Sequence, residues 1–131
     1  MIILGSHCTS TVTNNPSQAG TFDLDESPYL GMVNDLPANW DAYIAASRVP
    51  YIIPASPGFD LRPWAAYSAP NELVRTASSP DQYRQMLAAA RTRIDLGKAS
   101  RVVMVGAWNQ FGQGAYLEPT AGRGFSYLDA I

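Results

Sequence analysis

Cysteine and histidine are almost absent from this sequence, which limits the cross-links that the fold can use. The 131 residues include one cysteine, Cys8, and one histidine, His7. A single cysteine cannot form a disulfide within the chain, and this pair cannot supply the ligands of a zinc site. No EF-hand repeat, Walker loop or three-glycine dinucleotide motif is present either. The sequence therefore predicts no metal and no cofactor, although a carboxylate-rich calcium or magnesium site stays open.

An excess of charge and long apolar runs are also lacking. Nine basic and eleven acidic residues give a net charge of −2, which is too balanced for a surface that binds nucleic acid or an anionic membrane. No apolar run approaches the ~20 residues that cross a bilayer, and the start, MIILGSHCTS, lacks the basic region of a signal peptide. We therefore expect no nucleic-acid partner, no membrane partner and, by default, a cytoplasmic location. The nearest basic cluster spans a predicted helix end, where cations stabilise the helix dipole: Arg91, Arg93, Lys98 and Arg101.

The residues that are present indicate a single α/β domain. Hydrophobic residues make up 47% of the chain, which is enough for a core. The predicted strands are 1–4, 51–53 and 102–105, and the predicted helices are 37–48, 79–97 and 124–131. This alternation of strands and helices favours parallel, adjacent strands with ligands bound at their carboxyl ends.

The clearest local signals surround the second predicted helix. Ser79 is a favourable N-cap, Pro80 suits the first turn, and Gly97 suits the end of the helix. By contrast, residues 5–36 are predicted as one long polar loop and residues 61–77 as irregular. Loops of such length in compact domains usually have a function. Four residues in the first loop could face a ligand, although a solvated acidic loop is the simpler interpretation: Asp23, Asp25, Glu26 and Tyr29.

The most distinctive motif, AWNQFGQGAYLEP, follows the third predicted strand. It places an indole, three amides and two glycines within the seven residues from Trp108 to Gly114. Amides donate and accept hydrogen bonds, so the loop is suited to a polar ligand. However, Gln110 and Gln113 occupy the positions best placed for acid–base chemistry, and their side chains cannot titrate.

Three motifs in order, IIPASPGFDLRPW, SSPDQYRQMLAAAR and VVMVGAWNQFGQGAYLEPTAGRGFSYLDAI, resemble the C-terminal portion of the glycoside hydrolase family 99-like domain. This group includes the WbsX-type proteins of bacterial polysaccharide gene clusters. The resemblance is specific over residues 50–131 and loose over residues 1–49. It implies carbohydrate chemistry on a (β/α)₈ TIM-type barrel. Because a whole barrel takes about 250 residues, residues 1–131 would be a partial barrel domain of about three parallel βα units.

Two glutamates of the family motif fall on Gln110 and Gln113, the positions that supply the acid and base in related endo-mannosidases. Glycosidases usually need two carboxyl groups, and the loss of one acid–base group costs about 10²–10⁴ in rate. We therefore expect a carbohydrate-active, glycoside-hydrolase-like protein that acts on or binds polysaccharide, with weak or absent hydrolysis. Two alternatives remain open: a non-catalytic carbohydrate-binding remnant, and an α/β fragment that functions only in an assembly.

Four further residues are candidate sugar contacts, each with a structural alternative. Trp108 and Phe111 could stack on a sugar face or pack at a barrel rim. Asn109 could bind a sugar hydroxyl or cap its loop, and Trp64 could line the cleft or pack beneath its own loop. The paired amides have an alternative as well, because both could satisfy backbone groups in a tight loop.

Two carboxylates complete the set of candidate site residues. Asp60 is better explained by an ion pair with Arg62 than by a ligand contact, and Glu118 could bind substrate or make a structural hydrogen bond. Because their loops all follow strand ends, we expect five of the candidates to converge on one concave face: Asp60, Trp108, Gln110, Gln113 and Glu118. A three-stranded piece of a barrel leaves open edges, so we also expect self-association or pairing with an upstream barrel segment.

Overall fold

Parallel strand pairs and two long helices form the framework of the molecule. A computed structural model describes residues 25–62 and 73–131. No helix in these two ranges is long and apolar enough to cross a membrane. In chain order the elements are β1 (Asp25–Pro28), α1 (Tyr29–Ala46), β2 (Ile53–Ala55), β3 (Leu73–Thr76), α2 (Pro80–Asp95), β4 (Val103–Val105), β5 (Asn109–Gln110), a 3₁₀ turn (Phe111–Gln113) and β6 (Ala115–Tyr116).

The strand predicted at 51–53 lies at Ile53–Ala55, and the strand predicted at 102–105 lies at Val103–Val105. The two strands pair in parallel, as expected. In the β2–β4 pair, Ile53 lies opposite Val103 and Ala55 lies opposite Val105. The chain between them contains α2, so this is a β–α–β crossover of the kind that the alternating pattern indicates. The predicted strand at 1–4 lies outside the described residues, so the expected adjacency of all three strands stays a prediction.

A second parallel pair, β1–β3, occupies segments that were predicted as loop and as irregular chain. Asp25 pairs with Leu73 and Pro28 with Thr76, and both strands lead into a helix. The prediction of a loop through residue 36 is also wrong, because α1 begins at Tyr29 and continues through Pro37. Tyr29, Val33 and Trp40 are buried, and this apolar face stabilises the helix despite the backbone donor that Pro37 lacks.

The predicted C-terminal helix at 124–131 is a series of turns instead. Gly124 has φ +53°, outside the helical region, and its N–H donates to Thr120 O at 2.8 Å. A short segment with such a start lacks the length that makes an isolated helix stable. Burial of Tyr127 and Ala130 holds these turns against the core.

The signals around α2 were predicted correctly. The Gln82 N–H donates to Ser79 Oγ at 3.3 Å, and the Ser79 N–H donates to Gln82 Oε1 at 3.2 Å. This capping box satisfies donors that the first helical turn leaves unpaired. The buried residues of α2, Tyr83, Met86 and Ala90, pack into the same core as Ile53 of β2.

One arginine of the basic cluster docks α2 against α1. Arg93 Nη2 lies 2.6 Å from Asp41 Oδ2 and 2.9 Å from the Pro37 carbonyl oxygen. Its guanidinium also lies 5.8 Å from the centroid of the Trp40 ring, a cation–π distance. Arg93 is therefore a structural contact between the two helices.

The Asp41–Arg93 pair predicts a specific pH dependence of stability. The hydrogen bond from Arg93 holds the pKa of Asp41 below its usual 3.8. The pair therefore stabilises the fold above pH 3.8, and this contribution is lost as the pH falls through the lowered pKa. Asp41→Asn should lower the urea midpoint at neutral pH, and its difference from wild type should shrink below pH 3.8. The control is Asp35→Asn on the exposed side of α1, which should change the urea midpoint at neutral pH little. A difference in midpoint between Asp41→Asn and wild type that is the same at every pH would contradict the account.

Candidate functional site

The loops that follow β2 and β4 meet at the carboxyl ends of these paired strands. The Asp60 N–H donates to the Gln113 carbonyl oxygen at 2.7 Å. Two glycines permit this approach: a Cβ added to Gly114 would lie 2.7 Å from Asp60 Cβ, and one added to Gly58 would lie 2.6 Å from Gly114 O. Gly114 also has φ +60°, a conformation that favours glycine. We call the loop after β2, residues 56–62, the Pro-Gly loop and the loop after β4, residues 106–114, the amide-rich loop. The two glycines bring these loops into direct contact.

The amide-rich motif forms a small hairpin. Asn109 pairs with Tyr116 and Gln110 with Ala115 in antiparallel register. At the base of the hairpin the Trp108 carbonyl oxygen accepts the N–H groups of Leu117, at 2.9 Å, and Glu118, at 2.8 Å. Ala115 and Leu117 are buried, so one face of the hairpin is held by the core while its tip is exposed.

The two amides of the motif contact each other at the hairpin tip. Gln110 Nε2 donates to Gln113 Oε1 at 2.5 Å. Within the described chain, these side chains therefore pair with each other rather than with the loop backbone. The Oε1 of Gln110 and the Nε2 of Gln113 are left as one acceptor and one donor. The pair can orient a hydroxyl group, but neither side chain can carry a proton to or from a reacting atom.

The aromatic residues of the hairpin are exposed rather than buried. Trp108 is 53% exposed and Phe111 is 45% exposed, and the Phe111 ring lies 4.6 Å from the Tyr116 ring between centroids. Asn109 is also exposed. Trp64, the remaining aromatic candidate, lies outside the described residues. The hairpin thus presents flat apolar surface beside its amides.

Asp60 makes the ion pair that was predicted for it. Its carboxylate accepts from Arg62 Nε at 2.9 and 3.1 Å and from Arg62 Nη2 at 2.6 Å. This hydrogen bonding holds the pKa of the Asp60 carboxyl below its usual value. Asp60 is therefore a charged structural group at neutral pH, a state that disfavours a role as general acid.

One of the four candidates in the predicted first loop belongs to the core. Tyr29 is a core residue, because it is 0% exposed and its hydroxyl donates to Ser56 O at 2.6 Å. Burial raises the pKa of Tyr29 above its usual value, so the hydroxyl stays protonated. Asp23 lies outside the described residues, and Asp25 belongs to β1. In the described part of the chain no group of three or more His, Cys, Asp or Glu side chains could hold a metal ion.

A cavity of about 240 Å³ lies where the hairpin meets the Pro-Gly loop. Two of the candidate residues, Asp60 and Phe111, line it. Four other candidates are not among its lining residues, so their convergence with Asp60 on one concave face stays a prediction: Trp108, Gln110, Gln113 and Glu118. The remaining lining residues are Phe59, Arg62, Arg75, Ala77, Ser78, Gly114, Tyr116 and Arg123.

Sequence reasoning missed the cationic side of this cavity. Arg75 lies in β3, a strand within a segment predicted as irregular, and Arg123 lies between two glycines in the C-terminal turns. Neither residue belongs to a recognisable motif. The one available signal is that both are arginines close in sequence to aromatic or polar loop residues, which is too common a pattern to identify a site.

Comparison with known proteins places the chain in a family. It is 42% identical over 55 residues to WxcX proteins from two strains of Xanthomonas campestris pv. campestris, a match that covers 40% of this chain and 8% of each relative. No solved structure shows significant similarity. The family model described as glycosyltransferase WbsX matches residues 12–131. Since this match extends over nearly the whole chain, the protein belongs to the WbsX family, the group that its motifs resemble.

Proposed function

We propose that the hairpin and the Pro-Gly loop form a carbohydrate-binding site on the C-terminal part of a (β/α)₈ barrel. The observation that supports this most is the hydrogen bond between Asp60 and Gln113. It joins the two loops at the carboxyl ends of neighbouring parallel strands, the end at which barrel enzymes carry their active sites. Membership of the WbsX family supports carbohydrate as the ligand class.

The exposed hairpin surface matches the chemistry of a sugar. A pyranose presents an apolar C–H face and a rim of hydroxyl groups. Trp108 and Phe111 offer exposed ring faces that can stack on the C–H face. The Gln110–Gln113 pair offers a donor and an acceptor for the hydroxyl groups. Asp60 serves a positioning role, because Arg62 holds its carboxylate and its backbone fixes the hairpin.

The same geometry disfavours hydrolysis. Glycosidases hold two carboxyl groups about 5–5.5 Å or 6.5–9.5 Å apart, whereas Gln110 and Gln113 meet at 2.5 Å and cannot titrate. We propose that this chain binds polysaccharide with weak or no hydrolysis. Glycosyl transfer is the second candidate, favoured by the description of the family as glycosyltransferases. Transfer also needs a base for the acceptor proton, and Glu118 is the one carboxylate within the motif.

Calorimetric titration of the chain with mannan-type and acidic oligosaccharides tests the binding site. Trp108→Ala should weaken binding by roughly tenfold, because it removes a stacking surface worth on the order of 1 kcal/mol. Tyr43→Ala is the matched control, since Tyr43 is 60% exposed but lies on α1. Absence of binding to either class of glycan, or equal loss in both variants, would contradict the proposed function.

A second arm of the same experiment separates an altered enzyme from a binding module. In Gln110→Glu/Gln113→Glu, carboxyl groups replace both amides, and hydrolysis of mannan-type oligosaccharides should rise at least about 10²-fold over wild type. Like-charge repulsion would move the two carboxyl groups apart from the 2.5 Å contact of the amides, toward the separations at which glycosidases hold their acid and base. If the double variant binds sugar but hydrolyses no faster than wild type, these positions are not the lost acid and base.

The open strand edges motivate a proposal about assembly. In the described ranges β2 and β4 each have one strand partner, and Ile52 and Val102 are 42% and 54% exposed. Unpaired edges beside apolar surface favour association. We propose that these edges pair with another barrel segment or with a second copy, so the purified chain should run as an oligomer and bind a hydrophobic dye. A sharp monomeric peak with concentration-independent unfolding would contradict the barrel-fragment proposal.

A further inference from the structure

The cavity beside the hairpin carries an excess of positive charge. Arg62, Arg75 and Arg123 line it, together with one carboxylate, that of Asp60. Because Arg62 and Asp60 form an ion pair with contacts as short as 2.6 Å, their charges largely balance. The excess therefore comes from Arg75 and Arg123.

Neutral groups hold Arg75 in place. Its Nη1 donates to Ser27 Oγ, and its backbone N–H donates to the Phe59 carbonyl oxygen at 2.7 Å. The side chain is half-buried. Among the side chains that the structure describes, no carboxylate forms an ion pair with it, in contrast to Arg84 and Arg93, which pair with Asp81 and Asp41.

Aromatic rings hold Arg123 in place. Its guanidinium carbon lies 5.0 Å from the Tyr127 ring centroid and 5.7 Å from that of Tyr116, and Nη1 donates to the Tyr127 hydroxyl at 2.8 Å. That hydroxyl in turn contacts Ser78 Oγ at 2.9 Å. As with Arg75, no carboxylate among the residues described here pairs with Arg123. Arg75 and Arg123 thus line one cavity, and no carboxylate among the described side chains compensates their charge.

The size and the apolar part of the lining restrict what could enter. A cavity of about 240 Å³ is smaller than the roughly 300–1,000 Å³ of pockets for drug-sized molecules, so it suits a single ring rather than a long ligand. Phe59, Phe111 and Tyr116 supply ring faces. Guanidinium groups bind carboxylate and phosphate with charge-assisted hydrogen bonds, which neutral hydroxyls cannot match.

We propose that this cavity binds the anionic substituent, carboxylate or phosphate, of an acidic sugar. The inference rests on the proposed function in one respect, that the ligand is a carbohydrate, and it specifies the class as acidic glycan. Arg75 and Arg123 bind the anion, while the adjacent aromatic rings contact the sugar ring. The hairpin tip with its paired amides then lies next to the neighbouring unit of the glycan.

Calorimetric titration of the 131-residue chain with glucuronate, glucose 6-phosphate, glucose and inorganic phosphate tests the proposal. Glucuronate or glucose 6-phosphate should bind at least about tenfold more tightly than glucose, and the stronger of the two identifies the anion. Arg75→Gln and Arg123→Gln should each reduce this binding by about tenfold or more. Arg101→Gln is the matched control, because Arg101 is exposed and precedes β4, at the opposite end of the strand from the cavity.

The proposal would be overturned by glucose binding as tightly as the acidic sugars, by equal losses in Arg75→Gln and Arg101→Gln, or by binding of inorganic phosphate without either acidic sugar. Arg75→Lys, checked by circular dichroism together with the other variants, keeps the charge and should retain part of the affinity. Oligosaccharide binding that depends on Trp108 but not on Arg75 would overturn this proposal and leave the proposed function standing. Glucuronate binding that depends on Arg75, without any oligosaccharide binding, would overturn the proposed function and leave this proposal standing.

Discussion

The hydrogen bond from the Asp60 N–H to the Gln113 carbonyl oxygen, 2.7 Å long, is the contact on which the candidate site depends. It joins two loops that follow different strands, and it is short because Gly58 and Gly114 present no side chain to the approaching backbone. The hairpin tip, the Asp60–Arg62 ion pair and the cavity are all positioned relative to this junction. A larger side chain at Gly114 would have to displace Asp60, and the cavity would change with it.

Strand pairing, hydrophobic burial and one ion pair stabilise the framework beneath the junction. The β2–β4 pair sets the two loops side by side, and α2 crosses between these strands with a buried face of Tyr83, Met86 and Ala90. Burial of such side chains is the dominant favourable term in folding. The contact of Arg93 with Asp41 and Pro37 then fixes α1 against α2. The site thus lies on a scaffold whose hydrophobic core does not include the amides or the cavity arginines.

Features with local causes could be predicted from the sequence, and features with long-range causes could not. The cap at Ser79, the end of α2 near Gly97 and the Asp60–Arg62 pair each depend on residues within a few positions of one another. The β1–β3 pair joins Asp25 to Leu73, and no local sequence pattern predicts this pairing. The helix predicted to begin at residue 37 begins at Tyr29, because the buried face around Trp40 outweighs the donor that Pro37 lacks. Arg75 and Arg123 meet at the cavity through β3 and the C-terminal turns, elements that the sequence did not predict.

Substitution at Gly114 tests most directly whether the junction positions a carbohydrate site. Gly114→Ala and Gly97→Ala both place a side chain at positive φ, +60° and +69°, but only the former meets another group within 4 Å. Backbone strain of about 1–2 kcal/mol should therefore be common to both variants, and thermal unfolding followed by circular dichroism measures it. We predict that Gly114→Ala loses at least about tenfold in affinity for the oligosaccharides that test the proposed function, while Gly97→Ala retains wild-type affinity. Equal affinity in the two folded variants would contradict the claim that contact between Asp60 and the hairpin builds the site.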